Sequence, residues 1–155
     1  MEARKSSSAR GWLVTLVGML AAVAIAINMF KVPPTMGLLM ADLGIGPALG
    51  GWLMTVPTVT GLVLALPSGG LTDKFGPKKV GLFAILSAAV GSLIGSFAPN
   101  IELLLFSRFV EGLSFALIGV AVPAIIALWF SPEKSGAPMA IWSGWVPIGM
   151  LAIFT

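Results

Sequence analysis

Long apolar runs broken only by short polar segments leave this chain few folds to choose from. A helix needs about 20 residues to cross ~30 Å of hydrocarbon. Residues 12–30, 48–68, 80–98, 103–129 and 137–155 each supply a run of that order. The first run continues beyond Lys31, so its span is 12–30 or 12–40. Strand barrels need alternating segments of ~10 residues, and no such alternation is present. The expected fold is all-α and integral to a membrane, with about five transmembrane helices behind a polar tail at residues 1–11.

Composition agrees with that reading and removes several function classes. Charged residues make up 10% and hydrophobic residues 57%, whereas a soluble domain carries about 25% charge. With no Cys and no His, disulfide scaffolds, thiolate or imidazole metal sites and His-dependent triads are excluded. No metal or cofactor is expected. An intramembrane protease or hydrolase would also want paired carboxylates, and only Glu111 lies well within a span. The net charge of +3 does not point to nucleic acid. Lys31 and Arg108 apart, the basic residues fall in three short polar segments and form no stripe on a soluble domain.

Those segments orient the chain. Arg4, Lys5, Arg10, Lys74, Lys78, Lys79 and Lys134 share one side, while the opposite loops carry Asp42 and Glu102 and no basic residue. The positive-inside rule then places the N-terminus in the cytoplasm, in what is expected to be the plasma (inner) membrane. Ala24-Ile25-Ala26 has the look of a signal-peptide cleavage site, but the apolar run continues past it and more spans follow, so a retained first helix is expected. The last run is still apolar at Thr155, where uncapped carbonyls would sit in lipid. The chain is therefore expected to be the front part of a longer protein.

Between the second and third runs lies Gly69-Gly70-Leu71-Thr72-Asp73-Lys74-Phe75-Gly76-Pro77-Lys78-Lys79, a charged turn punctuated by glycines. Gly69 is expected to end the second helix where a neighbouring helix approaches closely. Gly76 supplies the positive φ of a sharp turn, and Pro77 stops helix propagation through it. A plain hairpin obeying the positive-inside rule would explain the lysines alone, but topology demands neither the glycines nor Asp73. The pattern Gly-x-x-x-Asp-Lys-x-Gly-x-Lys-Lys resembles the loop between helices 2 and 3 of the major facilitator superfamily. In that family the equivalent acid latches the two halves shut on the cytoplasmic side. The resemblance implies a gating role for Gly69, Asp73 and Gly76, with Lys74, Lys78 and Lys79 anchored at headgroups. Pro77 and Lys78 stand where the family often has arginines.

The fourth run carries Arg108-Phe109-Val110-Glu111-Gly112-Leu113-Ser114, which is similar to the family's helix 4 pattern Arg-x-x-(Gln/Glu)-Gly-x-(Gly/Ser). Trp129 to Gly136 also resembles the loop between helices 4 and 5. A charge at the centre of a span costs roughly 2.5 to 3.5 kcal/mol on insertion scales, so it faces a cavity or a partner. Three residues apart, Arg108 and Glu111 share a helix face and can neutralise each other. They are either a substrate or proton-coupling site or a self-contained structural pair. Lys31 is the third intramembrane charge, in Asn28-Met29-Phe30-Lys31-Val32-Pro33-Pro34, where tandem prolines interrupt the first helix. It lines a cavity with Arg108 as companion, or it snorkels to the outer interface. If the helix runs on to Met40, Lys31 lies deep and Asp42-Leu43-Gly44-Ile45 forms the outer loop.

Elsewhere, Gly91-x-x-x-Gly95 would allow a close helix crossing, and Gly144, Pro147 and Gly149 allow a bend. Trp12, Trp52, Trp129 and Phe130 fall near span ends, as interfacial aromatics do; Trp142 and Trp145 lie deeper and are not assigned to substrate. The family resemblance implies a twelve-helix transporter of two six-helix halves, working by alternating access on a small-molecule substrate within the lipid bilayer. This chain would be part of the N-terminal half, and its partner would be the missing C-terminal half. Lys31 and Arg108 would attract an anionic or polarised solute, and Glu111 would be the proton-coupling residue. The stretch Met29 to Ile45 is similar to the cyanate and nitroimidazole transporter branch. The rivals are a drug exporter of the same superfamily and a non-transporting membrane protein. Exporters often carry Gly-x-x-x-Gly-Pro on helix 5, which Gly144 and Gly149 do not reproduce.

Overall fold

A computed structural model describes residues 8–154; Arg4, Lys5 and Thr155 lie outside that range. Among the described residues every regular element is helical: α1 Ser8–Phe30, α2 Val32–Leu43, α3 Pro47–Phe75, α4 Pro77–Ser96, α5 Ile101–Trp129, a 3₁₀ turn Pro132–Lys134, α6 Gly136–Trp142 and α7 Trp145–Phe154. They form five helical runs long and apolar enough to cross a membrane: Ala9–Leu43, Pro47–Phe75, Pro77–Ser96, Ile101–Trp129 and Gly136–Phe154.

Local chemistry sets the ends. Proline has no N–H and its fixed φ suits the first turn of a helix, so Pro33, Pro47 and Pro77 stand at helix starts. Gly44 closes α2 in the left-handed region at φ 62°, and the Ile45 amide donates back to the Met40 carbonyl at 3.0 Å. Gly76 adopts φ 84° between α3 and α4. The side chain of Asn100 caps α5 by accepting from the Leu103 amide at 3.0 Å. α1 and α2 run nearly end to end, broken only at Lys31, and the turn into α3 lies at Gly44–Gly46.

One expectation fails. Gly69 neither ends the second span nor admits a neighbour: α3 continues to Phe75, and a Cβ built on Gly69 or Gly70 meets nothing within 4 Å. Nothing between Gly69 and Phe75 blocks a helix. Ser68 and Thr72 turn their hydroxyls back onto the carbonyls of Leu64 and Ser68, four residues earlier, so their polar groups are satisfied within α3. The hairpin is therefore the Gly76–Pro77 corner alone.

In the centre, α5 packs against α4, α3 and α1, while α7 packs on α1. Missing side chains permit the closest crossings. A Cβ on Gly95 would come 2.8 Å from the Ser107 hydroxyl, one on Gly91 would come 2.8 Å from Cγ of Glu111, and one on Gly112 would come 2.7 Å from the Pro57 carbonyl. Trp142 and Trp145 are core residues: their rings stack at 5.3 Å, and Phe115 lies 4.8 Å from Trp145. The outward surface is leucine-rich, with Leu66 90% and Leu62 73% exposed on α3. Gly11 beneath the Phe130 ring, with the Trp12 ring edge-on to it at 5.7 Å, brings the start of α1 to the end of α5. With the spans alternating, Arg10, Lys74, Lys78, Lys79 and Lys134 gather at one end and Asp42 and Glu102 at the other.

Candidate functional site

The break between α1 and α2 sets Lys31 beside Glu111, the one buried carboxylate among the described residues. Pro33 and Pro34 follow Lys31, and the chain bends there without leaving helical dihedrals, with φ −65° and ψ −23° at Lys31. From that bend the Lys31 ammonium donates to Oε1 of Glu111 at 2.6 Å and to the Ser92 hydroxyl at 3.1 Å, and its third bond goes to Oδ1 of Asn28. Its side chain is 38% exposed, whereas that of Glu111 is 2% exposed.

Arg108 lies one turn before Glu111 on α5, wholly buried, and its Nη1 pairs with Oε2 of the same carboxylate. Its other bonds go to two neighbouring spans, to the Met29 sulfur at 4.0 Å and to three main-chain carbonyls. Nε donates to Leu53 at 3.1 Å, Nη1 to Asn28 at 3.3 Å and Nη2 to Met29 at 2.7 Å. The cluster therefore holds two cations and one carboxylate and unites α1, α3, α4 and α5.

The three intramembrane charges singled out by sequence thus converge, and Lys31 does not reach away to the interface. Lys31 and Arg108 meet through a shared carboxylate and do not face each other across open space. Two members carry no sequence signal as strong. Asn28 accepts from Lys31 and donates through Nδ2 to the Ala88 carbonyl at 3.1 Å, tying α1 to α4. Ser92 completes the ammonium's partners. A polar residue three positions before Lys31 in a mostly apolar run was the available hint for Asn28; Ser92 had only its neighbour Gly91.

The residues of the expected gate lie apart from this cluster. Asp73 is exposed at the end of α3 and makes no ion pair among the described residues. The Lys74 ammonium lies 5.4 Å from the centre of the Phe75 ring. Lys78 is exposed, and Lys79 lines an apolar groove of about 370 Å³ with Leu71, Phe75, Val80, Phe83 and Leu117. That groove takes in no member of the charged cluster.

A family profile described as Major Facilitator Superfamily matches residues 14–154. Over 130 residues the chain is 31% identical to a multidrug resistance protein B homolog of Mycobacterium tuberculosis, covering 81% of this chain and 23% of that protein. It is 32% identical over 117 residues to the niacin transporter NiaP of Acinetobacter baylyi, covering 76% and 25%. It is 29% identical over 104 residues to the galactose-proton symporter of Escherichia coli, covering 66% and 22%. The chain spans about a quarter of the length of these relatives. The narrower resemblance to cyanate carriers gains nothing from them. No solved structure matches the chain. A profile match across all five spans, over an all-helical bundle whose helix 4 pattern closes into one charged cluster, places this chain in the Major Facilitator Superfamily.

Proposed function

We propose that this chain forms part of a secondary transporter that moves a small anionic or polar solute by alternating access, with Lys31, Glu111 and Arg108 as its substrate and coupling centre. One observation carries the reading: a cluster of two cations and a single carboxylate lies among the spans, with Lys31 partly open. Each charge at such depth costs roughly 2.5 to 3.5 kcal/mol on insertion scales, and an unbalanced cation there favours a visiting anion. Lys31 already uses its three N–H bonds. A solute must therefore displace one partner, and protonation of Glu111 would free one. That exchange would couple solute to proton. The names of the niacin and galactose-proton relatives support solute uptake.

The proposed orientation has the N-terminus in the cytoplasm. Asp73, Lys74, Lys78 and Lys79 then lie at the cytoplasmic face, where Asp73 serves as a latch for spans beyond those described here. The drug-resistance relative, at 31% identity, supports a second reading, export of apolar drugs. Uptake assays on the protein in proteoliposomes, with radiolabelled niacin and galactose as solutes and ethidium as the export probe, separate the two. For uptake, Lys31→Gln lowers niacin or galactose entry about 10- to 100-fold, and Glu111→Gln flattens its dependence on an imposed proton gradient. Unchanged pH dependence in Glu111→Gln sinks the coupling role. Ethidium efflux without solute uptake favours the exporter.

A further inference from the structure

Arg108 is the largest wholly buried side chain among the described residues, and three of its five acceptors are backbone carbonyls. In an α-helix a carbonyl ordinarily accepts from the amide four residues on. Four on from Met29 is Pro33, and four on from Leu53 is Pro57. Proline has no N–H to offer. Both carbonyls thus lose their usual donor, in surroundings where water is not there to replace it. Those two carbonyls are the ones that receive Nη2 and Nε of Arg108, at 2.7 and 3.1 Å.

A second feature addresses the same place. One turn beyond Arg108, Gly112 lies so close to α3 that a Cβ would come 2.7 Å from the Pro57 carbonyl and 2.9 Å from its Cα. The bare backbone of α5 seats against the Pro57 break while the guanidinium fills the vacancy one turn below. Two helices must be served at once, from different directions in one plane. A guanidinium presents donors that way; an ammonium, a single point on a flexible stem, does not.

We propose that Arg108 is a positioning residue that caps the two carbonyls vacated by Pro33 and Pro57, holding the broken first span and the kinked α3 against α5. Lys31 is then the cation of the cluster left to meet solute, while Arg108 stays in place through the cycle. The capping role itself does not depend on which solute is carried.

A double-mutant cycle separates capping from ligand binding. Thermal unfolding of the purified chain in detergent micelles is followed for Arg108→Lys, in the native background and with Pro33→Ala and Pro57→Ala together, which restore the missing amides. Capping predicts that Arg108→Lys lowers the midpoint in the native background, and that the loss falls to about half or less when the amides return. If Arg108→Lys does not fold alone, recovery of folding in the alanine background gives the same answer. Lys31→Gln should show no such dependence. Equal losses for Arg108→Lys in both backgrounds, or the same rescue for Lys31→Gln, overturn the inference. Should the alanine variants themselves fail to fold, isotope-edited infrared spectra of the Leu53 carbonyl decide it. Its amide I band should move to higher frequency in Arg108→Lys, and an unmoved band refutes capping.

Discussion

A single methyl group tests how tightly the charged centre is built. Added to Gly91, it would lie 2.8 Å from Cγ of Glu111 and 3.2 Å from both the Glu111 amide and the Ser107 carbonyl. Two of those neighbours are backbone and cannot swing aside. Gly91→Ala should therefore cost about 1–3 kcal/mol, as overpacking does, and loosen the Lys31–Glu111 contact. Gly119→Ala, which meets nothing within 4 Å, should leave the unfolding midpoint in micelles unchanged. Removing charge has an order as well. Glu111→Gln leaves Arg108 buried without its counter-charge and should cost about 3–5 kcal/mol. Lys31→Gln spares the Arg108–Glu111 pair, so chemical unfolding of the two variants should rank it as the milder. The Arg108–Glu111 pairing was legible from a spacing of three on one helix. The place of Ser92 was not: it meets an ammonium 61 positions away, and only the crossing of α4 over α5 sets Ser92 beside Glu111 on their shared partner, Lys31.

At the scale of elements, span number could be read from hydropathy alone, because the bilayer sets a length that local propensity cannot alter. Span ends were harder. Gly69 was expected to end the second span where a neighbouring helix approaches closely, yet the stop lies at Gly76, where φ 84° is followed by a proline. The difference is one of backbone conformation, which a glycine's identity alone does not reveal. It also yields a prediction. Gly76, at φ 84° and ψ 145°, sits near a region used almost only by glycine, so Gly76→Ala should cost about 1–3 kcal/mol. Gly44, at φ 62° and ψ 31°, occupies the ordinary left-handed well that asparagine also visits. Gly44→Asn should stay close to wild type in the same unfolding assay. The indoles of Trp142 and Trp145 needed the structure too: hydropathy set them deep, and only the fold of α6 and α7 onto α1 and α5 showed them stacked as core.

At the scale of the whole molecule, the described residues form a five-span bundle hung on α5, basic at one end and acidic at the other. A chain without cysteine offers a clean measure of which end faces the cytoplasm. In right-side-out vesicles a membrane-impermeant maleimide should label Gly46→Cys and spare Glu133→Cys until the membrane is opened; the reverse pattern would invert the proposed topology. The central arginine has a consequence at this scale that reaches beyond one sequence. The guanidinium of Arg108 meets the carbonyls opposite Pro33 and Pro57, so three positions on three separate spans answer to one another. Viewed as heredity, they are a linked set. A lineage that drops either proline relaxes its need for the arginine, and one that loses the arginine first leaves two carbonyls stranded in oil. Losses among descendants should therefore run in one order, prolines before arginine.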